Sequence, residues 1–286
     1  MDQITRLPKP KIEVYEGMLV ATAKETLRQS SADYDVIETL DIPSAMGPIV
    51  IVLIRKSGQM LCAGPSSIHE LKRLIRYLKL LGVSKIFVDG AFSRQQLSRI
   101  GDATILCIGA SLSPDLKQVM YKAKQIIEKF SLPGVPVKWA NNPCDGPICA
   151  INEQGVHKPL PFHTTISFET DYLNAIPTDA LAIHIPGAVT DSFVQAWLKK
   201  PLLFTIPWII QSPAHLLCSE RNIERLRRVS QSIFCMYPIR LVAICYNPFV
   251  PHGQLVDDDT FYQELKSITD LPVFNVVSRK GELHHE

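Results

Sequence analysis

Alternating strand-like and helix-like segments predict an α/β fold on a mostly parallel sheet. Three observations carry this expectation. Short Val/Ile-rich runs such as GPIVIVLI (47–54) and LVAICYNPF (241–249) read as buried strands. Between such runs lie helical stretches, and IHELKRLIRYLKLLG (68–82) sets Leu71, Leu74, Ile75, Leu78 and Leu81 on one face. Three strand-like runs then end in Gly-Ala: SKIFVDGAFSR (84–94), ILCIGASLSPD (105–115) and LAIHIPGAVTD (181–191). Helices alternating with strands cover a parallel sheet on both faces, so residues 8–135 are expected to form a three-layer α/β domain.

In chain order, KIEVYE (11–16) reads as a strand and QMLCAGPSS (59–67) as strand, turn and helix start. Gly82 ends the helix that follows. Ile86–Val88 reads as a buried strand ending on Asp89, Gly90 and Ala91. Ser113-Pro114-Asp115 opens a helix running to about Phe130. The Pro-, Gly- and Asn-rich stretch SLPGVPVKWANNPCDGP (131–147) is the expected boundary to a second α/β region, 148–278. There ICAINEQG and HKPLP form a small β insertion. LAIHIPGA, TDSFVQAWLKK, LLFTIPWII, SERNIERLRRVSQ, LVAICYNPF, TFYQELKSI and PVFNVV resume the alternation. The Gly-Ala pairs, and Gly90, Gly109 and Gly187 in particular, are expected at one edge of the sheet.

A chain of 286 residues with formal net charge +2 gives no global reason to expect nucleic-acid or membrane binding. Lys72, Arg73, Arg76 and Lys79 fall on the wet face of a helix, as do Arg221, Arg225, Arg227 and Arg228, without aromatic interleaving. Seven scattered cysteines, of which Cys62, Cys107 and Cys245 lie inside apolar runs, suit small core residues in a reduced, cytoplasmic protein. Cys144 and Cys149 lack a second pair at zinc-site spacing, and the tail His284-His285-Glu286 is expected to be disordered. His184, mid-strand, suits a core histidine.

Ligands of parallel sheets lie outside the carboxyl ends of the strands, where small residues let the backbone approach and helix N-termini offer N–H groups. That rule selects Asp89 as a Walker-B-like acid for Mg²⁺, with Gly90 beside it. It selects Gly64, Ser66, Ser67 and Gly109 for phosphate, and Asn247 for a base edge. The plain alternatives are a turn carboxylate at Asp89, a helix cap at Ser66 or Ser67, and an Asn-Pro turn at Asn247. No G-x-x-x-x-G-K-[ST], G-x-G-x-x-G or G-x-S-x-G occurs, so this chain lacks the usual equipment to cleave ATP.

KPKIEVYEGMLVATAKETL, LCAGPSS, VSKIFVDGAFSR and ATILCIGASLSPD, in that order, resemble the smaller, non-MutS-like subunit of the lysine 5,6-aminomutase and ornithine aminomutase reactivases. The likeness covers about residues 8–130 well and extends more loosely through IPGAVTD, YNPF and PVFNVV. It implies a P-loop-NTPase-like arrangement of the sheet. It also implies an accessory, chaperone-like role in ATP-dependent release of damaged cobalamin from an adenosylcobalamin-dependent aminomutase of amino acid fermentation. The partners would be that aminomutase and a MutS-like ATPase subunit, in a hetero-oligomer. Family members begin with a strand and a Gly-rich Lys-Thr-Thr loop before the Lys-Pro segment, whereas this sequence opens at Met1-Asp2-Gln3 inside that pattern. The expectation is therefore a truncated start or a lost ATP site, with Mg²⁺ and ATP bound only if a P-loop segment or partner supplies the missing groups. Two other classes compete: a dethiobiotin-synthetase-like ligase, which the missing lysine disfavours, and a catalytically silent interaction module.

Overall fold

The computed structural model describes residues 11–89, 100–113, 115–140, 146–249 and 256–276. Gly90, Pro114, Cys144 and the tail His284–Glu286 lie outside the described residues. The chain is mixed α/β with several sheets and divides into two compact units, residues 1–90 and 91–286. No helix among the described residues is long and apolar enough to cross a membrane.

In the first unit, β1 (Ile12–Val14) precedes β2 (Leu19–Ala23), β3 (Asp33–Thr39), β4 (Ile49–Lys56) and β5 (Gly58–Met60). These strands pair antiparallel, in the order β2-β4-β3 and as the couple β1-β5. The parallel sheet expected here is therefore not what forms. The apolar run of β4 marks a central strand buried on both faces, with Ile49, Val50, Ile51 and Val52 each at most 1% exposed. Burial on both faces is compatible with either strand direction, and the run could not distinguish them. Helix α1 (Ile68–Leu80) buries Leu71, Leu74 and Leu78, as its spacing predicts, whereas Leu81 is its half-exposed cap. Its basic residues Lys72, Arg73, Arg76 and Lys79 face solvent. Gly82 stops it at φ +81°. The Gly82 N–H donates to the Lys79 carbonyl and the Val83 N–H to the Leu78 carbonyl, the two bonds of a Schellman ending.

The strand expected at Ile86–Val88 does not form, and residues 85–89 are irregular. Phe87 is 88% exposed. An apolar run becomes a buried strand only where a neighbour offers ladder partners and a packed face, and no described strand pairs with this one.

Among the described residues, the second unit holds two sheets. Three parallel strands, β6 (Thr104–Gly109), β12 (Leu241–Asn247) and β13 (Val273–Asn275), pair in the order β13-β12-β6. Helices α2 (Leu116–Phe130) and α6 (Asp258–Lys266) pack on one face of this sheet. There Leu106, Ile108, Ile244, Tyr246 and Val273 meet Val119, Met120, Ala123, Phe261 and Leu265. Within the Ser113-Pro114-Asp115 stretch expected to open this helix, Asp115 is the cap, accepting from the Lys117 N–H at 2.9 Å. The opposite face differs from expectation: Ile105 is half exposed and Cys107 is exposed, so Cys107 is no core residue. The alternation of β6 turns these side chains away from the face that both helices cover.

The other sheet has five strands, β11-β10-β9-β7-β8. Here β9 (Ala182–Ile185), β10 (Trp208–Ile210) and β11 (Ile233–Cys235) are parallel, and the hairpin β7 (Cys149–Ile151) and β8 (His157–Pro159) adds antiparallel at the β9 side. This hairpin is the predicted insertion. Helices α4 (Asp191–Trp197) and α5 (Glu220–Arg228) join one face through Phe193, Trp197, Trp208 and Leu226. The segment with the short α3 (Val137–Ala140) packs on the other, through Val135 and Trp139. Each fully buried large side chain in such a core contributes about 1.5–3 kcal/mol. The buried Trp197 indole N–H donates to the Gln231 side-chain oxygen at 2.8 Å, so the ring enters the core without stranding its donor.

Candidate functional site at the carboxyl edge of the parallel strands

Among the residues selected from sequence, one pair is brought together. Gly109 and Asn247 are register partners at the carboxyl ends of β6 and β12. The backbone at Gly109 is extended, and a Cβ there would lie 3.2 Å from the Ser111 hydroxyl. Glycine thus keeps the turn into the following helix uncrowded. The Asn247 carboxamide oxygen accepts from the Phe249 N–H at 2.9 Å. That bond makes the Asn-Pro turn and orients the side chain, with its amide nitrogen as the donor it can present to a ligand.

Behind this pair, Asp258 in the first turn of α6 ties the helix to two strand ends. One of its carboxylate oxygens accepts from the Tyr246 hydroxyl and from the Asn275 amide, both at 2.6 Å. Tyr246 is buried and stacks on Phe261, with centroids 5.1 Å apart and planes 9° apart. Burial, followed by the hydrogen bond to Asp258, pushes the Tyr246 phenol well above its ordinary range. The phenol is thus a fixed donor at neutral pH. Asp257 caps α6 through the Thr260 N–H at 2.8 Å.

Sequence reasoning missed Asp258 and Asn275, and gave no role to Tyr246 beside Asn247. A signal existed in the acids Asp257-Asp258-Asp259 opening a helix just after an apolar strand, a pattern that favours the positive helix start.

Gly64, Ser66, Ser67 and Asp89 belong to the first unit, and Gly90 is outside the described residues. Asp89 follows an irregular segment rather than a strand, so the Walker-B comparison loses its structural premise. Ser67 caps α1, accepting from the Glu70 N–H at 3.2 Å, and the Ser66 N–H donates to the Pro43 carbonyl at 3.3 Å. Glu70 stands in the same first turn, beside Arg73 at 3.2 Å. These bonds make the turn a helix start with its own acid already in place. The space beside Gly64 is open.

Gly187 lies two residues beyond β9, a strand of the five-stranded sheet, whereas Gly109 ends a strand of the other. The expected single edge shared by the Gly-Ala pairs is therefore not formed, because β6 pairs with β12 while β9 pairs with β10 and β7. Close to Gly187, the Asp191 carboxylate accepts from the Ser219 N–H and hydroxyl, each at 2.8 Å, and from the Asn222 amide. Burial works to raise its pKa, but these bonds together hold it below the usual carboxylate range. Asp191 thereby fastens the start of α5 to that of α4.

A cavity of about 140 Å³ lies between α2 and α5, lined by Lys129, Leu132, Leu216, Ile223 and Gln231 among others. Burial lowers the Lys129 pKa, and its ammonium donates to the Leu216 carbonyl at 2.9 Å. Among the described residues, no three His, Cys, Asp or Glu side chains gather as metal ligands.

Comparison with protein-family models, with curated proteins and with solved structures returned no match to this chain.

Proposed function

We propose that this chain is an accessory subunit that helps reactivate an adenosylcobalamin-dependent amino acid aminomutase, in the cytoplasm and together with a MutS-like ATPase. In this reading, damaged cobalamin is released at the expense of ATP, and this chain supplies binding and positioning rather than stand-alone turnover. The support is the ordered set of sequence blocks that resemble the smaller reactivase subunit, from KPKIEVYEGMLV to ATILCIGASLSPD.

One structural observation carries the reading further. The last of those blocks contains Gly109, the register partner of Asn247, where parallel strands expose their carboxyl ends to a ligand. Gly109 provides room for close approach and Asn247 a side-chain donor. The P-loop-NTPase-like arrangement implied by the resemblance, and the three layers expected from the strand–helix alternation, belong to this proposal as well. In it, a P-loop on a further segment or on the partner would complete a nucleotide site next to Gly109 and Asn247. The acids at the start of α6 oppose phosphate there without added cations, since like charges repel at short range.

Calorimetric titration of the 286-residue chain with MgATP tests this division of labour. The expectation is no saturable binding by the chain by itself, and binding once the MutS-like subunit is added. Micromolar affinity of this chain without a partner would contradict it.

A further inference from the structure

Cys107 on β6 and Cys245 on β12 are direct register partners. Neighbouring strands lie about 4.8 Å apart, and disulfides bridge Cα separations of about 4.4–6.8 Å. Residues in register on adjacent parallel strands point to the same face, here the one opposite α2 and α6. Cys107 is exposed and Cys245 half-buried, so one sulfur is open to reagents and the other waits beside it. We propose that Cys107 and Cys245 form a reversible dithiol–disulfide couple that reacts with hydroperoxides.

The chemistry follows from the asymmetry of the pair. The Cys107 thiolate attacks the outer oxygen of a hydroperoxide, the O–O bond breaks, and the alkoxide leaves as an alcohol after taking a proton. Cys107 is then a sulfenic acid. The Cys245 sulfur attacks that sulfur, losing its proton, and the hydroxyl leaves as water. Two thiols and one hydroperoxide thus give one disulfide, one alcohol and one water, with two electrons passing from sulfur to oxygen. Burial, and then Cys107 itself, hold the Cys245 thiol above its ordinary pKa, which suits the resolving rather than the attacking position. Among the described residues, three other thiols are poorly placed to compete. Cys149, Cys218 and Cys235 are buried, and burial pushes Cys218 up to about 11 and Cys235 up to about 12. The crosslink would join β6 to β12 one pleat below Gly109 and Asn247. It does not depend on the proposed reactivase role.

The test is native oxidation of the reduced full chain with hydrogen peroxide, alkylation of remaining thiols, and peptide mapping by mass spectrometry without reduction. The expected result is one dominant linked peptide joining Cys107 to Cys245, lost on treatment with dithiothreitol. In Cys245→Ser, Cys107 should stop at the sulfenic acid and be trapped by dimedone. In Cys107→Ser, Cys245 should stay alkylatable after the same exposure. Independent alkylation of Cys107 and Cys245 in peroxide-treated native wild-type protein would overturn the proposal, whatever the variants do. Linked peptides distributed at random over the cysteines would overturn it equally.

Discussion

Replacing Tyr246 by Phe removes one hydroxyl and leaves the rest of its environment in place. The ring keeps its stack on Phe261 at 5.1 Å and its burial among α6 and the parallel strands. What is lost is the 2.6 Å bond to Asp258. A hydrogen bond to a charged group contributes about 1.5–3 kcal/mol. Asp258 retains the Asn275 amide on the same oxygen, so the carboxylate is not stranded and the cost should lie near ~1.5 kcal/mol. The three tryptophans, Trp139, Trp197 and Trp208, all lie in the second unit, so their fluorescence in urea follows the unit that contains Tyr246.

The same variant has a pH signature. Burial and the bond to Asp258 raise the folded-state pKa of the phenol above its unfolded value of about 10. Its contribution to stability is therefore fully present below pH about 10 and is lost as pH rises toward the folded value. The gap between wild type and Tyr246→Phe should be constant from pH 7 to 9 and shrink above 10. Equal urea midpoints at pH 7, or a gap that widens in alkali, would refute the role assigned to this hydroxyl.

Two further substitutions separate capping from ligand binding in the first unit. Ser67→Ala should weaken α1 by about 1 kcal/mol, read as faster amide exchange at Glu70 and Leu71, without changing any response to inorganic phosphate. A loss of phosphate binding instead would restore the phosphate reading of that turn. Gly82→Ala, at φ +81°, should cost about 1–2 kcal/mol, seen as faster exchange along the last turn of α1, and unchanged exchange would contradict the Schellman ending.

The sequence made the amphipathic elements legible because their signals are local. Leu71, Leu74 and Leu78 repeat at the helical period, Asp115 stands where a cap belongs, and Gly82 stands where a left-handed residue is needed. Strand direction was not legible. The run Ile49–Ile54 is equally apolar whether its neighbours run with it or against it, and neither the short β2 nor the mostly exposed β3 carries a comparable run. Ile86–Val88 looked like a strand by composition, but ladder partners are a tertiary property. Gly109 and Asn247 each stand at a strand end in the sequence, and only pairing between residues far apart in sequence makes them neighbours. Asp258 and Asn275 acquire their meaning from the same long-range pairing.

The central claim is tested most directly by measuring cobalamin release. An aminomutase inactivated with its damaged cofactor bound would be mixed with the MutS-like ATPase and MgATP, with and without this chain. Filtration would then separate free cobalamin for absorbance. The accessory role predicts substantial release only when this chain is present, and recovery of aminomutase activity when fresh adenosylcobalamin is supplied. Release that is equally fast and complete without this chain would contradict it.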